Sequence, residues 1–110
     1  MKNYAGKWLI QRITATLLIP LTFWFIYHCL SFASMNYTQL FLFFNSTVNS
    51  FLFLIMMISV LIHAKLGCET IIEDYVKSKS LKNISILLIN LIVYFSMAIT
   101  ILAIMRIILI

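Results

Sequence analysis

Charge is what this 110-residue sequence is shortest of. No Asp, Glu, Lys or Arg occurs from Ile13 to Ala64, and a second uncharged run extends from Asn83 to Met105. Charged residues are 10% of the chain and hydrophobic residues 64%, which excludes an ordinary soluble domain. There are only two cysteines, Cys29 and Cys68, expected at opposite ends of adjacent helices and so too far apart for a disulfide. The sequence has no Cys/His metal cluster, phosphate loop, Ser-His-Asp arrangement or Rossmann fingerprint, which excludes hydrolytic and dinucleotide chemistry. Glycine and proline are scarce (two and one) against abundant Ile, Phe, Leu, Asn, Lys and Tyr. Such usage is common in AT-rich genomes, those of organelles and some intracellular bacteria among them.

The uncharged runs define the architecture. A membrane-spanning helix needs about 20 apolar residues. The first run holds two such spans around a polar segment and the second holds one. An all-α fold of three transmembrane helices follows, in a single integral membrane domain over 1–110, with spans near 9–32, 48–72 and 83–108. Ser31-Phe32-Ala33 is similar to a signal-peptidase site, but the preceding apolar stretch is longer than a signal core, which favours a retained span. Pro20 is expected to kink that span. The segment Ser34 to Thr47 carries no charge, and Phe41 to Phe44 reads as a short interfacial turn. Asn90, Ser96 and Thr100 on the third span are candidates for bonds between helices.

The net charge of +5 does not point to nucleic acid, because the cations flank the apolar runs and form no face. Lys2 and Lys7 precede the first span, Arg12 begins it, and Lys77, Lys79 and Lys82 lie between the second and third. The positive-inside rule places both groups, and with them the N-terminus, on the cytoplasmic or matrix side. Arg106 then snorkels to the outer interface.

The candidate chemistry gathers in Ser59 to Tyr75. On a helix, His63, Gly67, Thr70 and Asp74 fall at i, i+4, i+7 and i+11, on one face. An imidazole at lipid depth is costly without a partner. It serves either as a helix–helix hydrogen bond or as an axial ligand to a haem iron. Gly67, one turn away, leaves room for something bulky to approach the backbone. His28 lies about 24 Å of helix rise from Arg12, and His63 about 16 Å from Asp74. If Arg12 and Asp74 mark one surface, the histidines differ in depth by roughly 8 Å and cannot sandwich one iron. A bis-histidine site therefore needs its second ligand from another chain, and His28 reads as an interfacial residue. Asp74 and Tyr75 end the second span: either a helix terminus reaching water, or a phenol that bonds a quinone carbonyl beside a carboxylate that relays protons. Arg12 is either a topology-setting cation or a bidentate partner for a carboxylate. The aromatic residues form no evident binding box along the sequence.

His63-x3-Gly67 followed by Asp74-Tyr75 resembles the H-x3-G-x6-D-Y signature of the small cytochrome b membrane-anchor subunits of succinate dehydrogenase, respiratory complex II. Gln11-Arg12-Ile13-Thr14-Ala15 resembles their R-x-T-A segment. The resemblance covers nearly the whole chain. It implies one half of a heterodimeric anchor bundle, paired with a larger cytochrome b anchor subunit. It implies a haem b shared between them, with His63 as one axial ligand and Arg12 at a haem propionate. It implies ubiquinone bound at Tyr75, with Asp74 as its acidic neighbour. It implies an iron–sulfur subunit on the inner face and a flavoprotein subunit beyond it, so that succinate itself is oxidised elsewhere. The membrane would be a bacterial or a mitochondrial inner membrane. The alternative is a small cationic membrane protein without redox function, such as a pore or an assembly factor.

Overall fold

The computed structural model describes residues 4–109 and is helical almost throughout. Its elements are α1 (Tyr4–Phe32), α2 (Tyr37–Asn45), α3 (Thr47–Tyr75) and α4 (Lys79–Leu109). Of these, α1, α3 and α4 are long and apolar enough to cross a bilayer. Lys2 lies outside the described residues. The 29 residues of α3 rise about 44 Å, more than the hydrocarbon thickness of a bilayer, so its ends emerge or the helix tilts.

The central element is α3, which packs against α1, α4 and α2. The interface uses small and slender side chains: Ser50, Ser59, Met56 and Leu66 of α3 are buried, with Leu21 of α1 and Val93 and Ile104 of α4. Most large apolar side chains point outward, including Phe23, Leu30, Leu91, Ile92 and Phe95. The helices are apolar on every side, as expected where lipid or another membrane subunit covers the outer face. Helix α1 continues through Pro20; the proline ring has no N–H, so the Thr16 carbonyl one turn back loses its helical donor.

Two expectations about the connections, a turn at Phe41 to Phe44 and a loop from Glu73 to Lys82, are corrected. The segment around Phe41–Phe44 is a nine-residue helix, not a turn. Its start is fixed by a capping box: the Asn36 side chain accepts from the Gln39 backbone N–H (2.9 Å), and the Asn36 N–H donates to the Gln39 side chain (3.1 Å). Its terminal carbonyls are met by Asn49 Nδ2 on Phe43 (3.2 Å) and by the Ser50 hydroxyl on Phe44. Asn45 Nδ2 donates to the Ile107 carbonyl (2.8 Å) and so ties α2 to α4. The turn between α3 and α4 is confined to 76–78, because Ser78 receives the Leu81 N–H on its hydroxyl and lets α4 begin at Lys79.

The aromatic residues, expected to be dispersed, form a cluster at the α2 end of the bundle. Phe43 packs on His28 (4.8 Å between centroids), Phe32 (5.0 Å) and Trp24 (6.2 Å), and Phe44 packs on Phe53 (5.1 Å). Folding α2 back over α1 and α3 brings these rings together, a proximity that no spacing along the chain encodes. Among the described residues, no bond between helices is found for the side chains of Asn90, Ser96 and Thr100: Thr100 donates to Ser96 O within its own helix, and Asn90 Oδ1 is buried without a partner.

Candidate functional site

The site lies between α1 and α3, toward the end where α1 begins and α3 finishes. His63 Nδ1 lies 3.0 Å from the Thr14 hydroxyl oxygen. Thr14 is buried, and its hydroxyl donates back to its own helix, to Ile10 O (2.8 Å) and more weakly to Gln11 O (3.1 Å). A hydroxyl has one proton. The direction of the His63 contact depends on the ring tautomer: if the hydroxyl proton lies on the helix carbonyl, the oxygen accepts from Nδ1–H. Nε2 then keeps its lone pair, and no described residue bonds to it.

His63 separates two clefts of opposite character. One, about 430 Å³, is lined by Lys7, Trp8, Gln11, Arg12, His63 and Thr70. The other, about 350 Å³, is lined by Ala15, Leu18, Ile19, Thr22, Phe23 and His63. In the polar cleft Arg12 is exposed and lies over the Trp8 ring, 5.3 Å from its centroid. Gln11 Oε1 is buried there without a hydrogen-bond partner. A methyl built on Gly67 would meet only Gln11 Nε2, at 3.9 Å, an ordinary contact.

Arg12 and His63 thus share one cleft, while Asp74 and Tyr75 line neither. Both stand exposed at the end of α3, Tyr75 at 79%. The expectation that Arg12 and Asp74 lie at one level is corrected. The ion pair of Lys7 with Glu69 (3.5 Å) and the pairing of Thr14 with His63 set an antiparallel register that puts Arg12 opposite the region of Lys65. Arg12 is therefore about 14 Å of helix rise deeper than Asp74. The same register places His28 about 21 Å from the level of His63, further than sequence arithmetic allowed. His28 sits instead among the rings of Trp24, Tyr27, Phe32 and Phe43.

Sequence reasoning missed the charges within α3. Glu69 is buried (side chain 5% exposed) and takes Lys7 on one oxygen and Lys65 on the other, each at 3.5 Å. Lys7, expected as a flanking cation, is 7% exposed and also meets Glu73 at 3.6 Å. Lys65 further lies 5.5 Å from the centroid of the Tyr94 ring on α4. The available signal was the Lys65–Glu69 spacing of i, i+4 inside a helix otherwise uncharged toward its N-terminus.

Among the described residues no group of three or more His, Cys, Asp or Glu side chains could hold a metal ion. That bears on ions held by this chain alone; an axial histidine ligand is a single side chain.

Comparison with known proteins identifies the family. Residues 4–103 match the family described as succinate dehydrogenase/fumarate reductase transmembrane subunit. The chain is 32% identical over 90 residues to the succinate dehydrogenase hydrophobic membrane anchor subunit of Rickettsia bellii, covering 82% of this chain and 72% of the relative. It is 31% identical to the subunit of the same description from Rickettsia typhi and 30% to that from Rickettsia prowazekii, with the same coverage. With three apolar helices of spanning length and a family match over nearly its whole length, the chain belongs to the succinate dehydrogenase/fumarate reductase transmembrane subunit family and is an integral membrane anchor.

Proposed function

We propose that this anchor helps to hold a haem b through His63 and presents Tyr75 and Asp74 to a quinone. The observation that carries the haem assignment is the bare Nε2 of His63, left free by the Thr14 contact between a polar and an apolar cleft. A neutral imidazole with one nitrogen hydrogen-bonded and the other bare is the form that ligates iron. The apolar cleft suits a macrocycle. The polar cleft offers Arg12, whose fork of donors suits a propionate. The group would supply a one-electron redox centre near the quinone site.

With no second histidine at the depth of His63, a second histidine for the haem would have to come from a larger cytochrome b anchor subunit seated on the same face. Tyr75 and Asp74 stand where α3 leaves the apolar layer, at the end that carries Lys77, Lys79 and Lys82. The positive-inside rule makes that end cytoplasmic or matrix-facing. There the iron–sulfur subunit docks and passes on electrons from the flavoprotein subunit, which oxidises succinate. The Tyr75 hydroxyl donates a hydrogen bond to the quinone carbonyl, and the Asp74 carboxylate orients the phenol and relays protons. Ubiquinone is the quinone expected in a bacterial or mitochondrial inner membrane of this kind. The family match displaces the alternative of a free-standing pore or assembly factor.

The test is a reduced-minus-oxidised optical spectrum of the purified complex carrying His63→Leu. The b-type band is expected to vanish or shift while the flavin and iron–sulfur subunits still co-purify. An unchanged band would refute the haem assignment.

A further inference from the structure

The hydroxyl of Thr14 has no role in the family resemblance beyond its place in a short sequence segment, yet it is the only side-chain partner of His63 among the described residues. From its geometry we infer that Thr14 is a positioning residue, which fixes the His63 tautomer and makes Nε2 the nitrogen offered to iron. This deepens the haem assignment and rests on it.

The device has three parts. The Thr14 hydroxyl lies 2.8 Å from Ile10 O, the shortest of its contacts, and donating its single proton there makes a bond internal to α1. The hydroxyl oxygen is therefore presented to α3 as an acceptor. At 3.0 Å it receives Nδ1–H of His63. Thr14 itself is buried, which limits competition by water for its hydroxyl. The donor and acceptor roles follow in sequence from one helix carbonyl to one ring nitrogen, and they tie ring orientation to the packing of α1 on α3.

A hydrogen bond from the remote N–H of a ligating histidine raises the basicity of the ligating nitrogen. A more basic ligand favours the ferric over the ferrous state. Thr14→Val keeps the shape and removes the acceptor. The oxidised-to-reduced balance is then expected to fall, up to tenfold, which is a rise in midpoint potential of about 59 mV for a one-electron couple. Thr14→Ser restores the oxygen and is expected to restore the potential.

The experiment is optical redox titration of the purified complex in four forms: unaltered, Thr14→Val, Thr14→Ser and His63→Leu. Thr14→Ala accompanies them, so that an assembly failure specific to the valine side chain does not remove the hydroxyl-free arm. A raised potential in the Val or Ala form with a normal potential in the Ser form supports the inference. An unchanged potential in the hydroxyl-free forms overturns it and leaves the haem assignment standing, provided His63→Leu loses the band. Equal shifts in the Ser and Val forms overturn it, because the Ser form keeps the hydroxyl oxygen that the inference makes responsible. A band that survives His63→Leu overturns the haem assignment first, and the inference with it.

Discussion

Lys7 on α1 and Glu69 on α3 meet at 3.5 Å with both side chains almost fully buried. This pair fixes the register of the two helices where the chain enters the membrane. Because Glu69 also holds Lys65, and Lys65 lies against Tyr94, a chain of charge contacts links α1, α3 and α4.

Removing one partner of a buried pair strands the other charge and costs about 3–5 kcal/mol, whereas replacing both by apolar groups is often neutral. Glu69→Gln is therefore expected to lower the thermal stability of the assembled complex, since Lys65 loses its carboxylate and the buried Lys7 keeps only Glu73. The double substitution Lys7→Met with Glu69→Leu should be less damaging than the sum of its single changes. Strict additivity in the melting of the three variants would show that the two residues do not act as a pair.

Tyr75 and Asp74 make a second prediction. Phenylalanine keeps the ring of Tyr75 and removes one hydrogen bond, worth about 0.5–1.5 kcal/mol. At about 1.4 kcal/mol per tenfold, Tyr75→Phe should slow quinone-linked turnover by about an order of magnitude. Electron transfer from succinate to an artificial acceptor that bypasses the quinone should survive. Asp74→Asn should show the same split. An equal fall of both activities in both variants would mean that the pair serves assembly.

Gly67 was expected to make room for a bulky group. The space beside it holds the Gln11 amide at ordinary contact distance, so one methyl fits. Gly67→Ala should keep the haem band and stabilise α3 by about 0.5–1 kcal/mol through helix propensity. Gly67→Leu should displace Gln11 and weaken the band. Loss of the band in the alanine form would show that a group outside this chain approaches closer than Gln11 does.

Orientation is open to direct labelling. Single cysteines at Asn36 and at Lys79, in a chain freed of Cys29 and Cys68, should react with an impermeant reagent from opposite sides of sealed vesicles. Reaction of both from one side would contradict three spans with a common inner end for the N-terminus and the α3–α4 turn.

Much of the site was legible because its residues carry local patterns. His63, Gly67, Thr70 and Asp74 share a helix face by spacing alone. Thr70 and His63 indeed line one cleft, while Asp74 runs past it into the exposed end of α3. Thr14 was visible only as part of a segment, since nothing local tells which way a threonine hydroxyl turns. Glu69 and Lys7 escaped notice because each looks like a flanking charge until the helices are laid side by side.

The sequence by itself determined three membrane-crossing helices and the end of the bundle that carries the cations. Both follow from the length of apolar runs against the thickness of a bilayer and from where charge interrupts them, properties that exist along a single line. The tertiary structure alone decided which residues meet. Helices that are apolar on every side have no face that must turn inward, so rotation and register are free until small residues, α2 and the buried ion pairs lock them together. That locking set His63 against Thr14, buried Lys7 on Glu69, gathered the rings around Phe43, and moved Arg12 away from the level of Asp74.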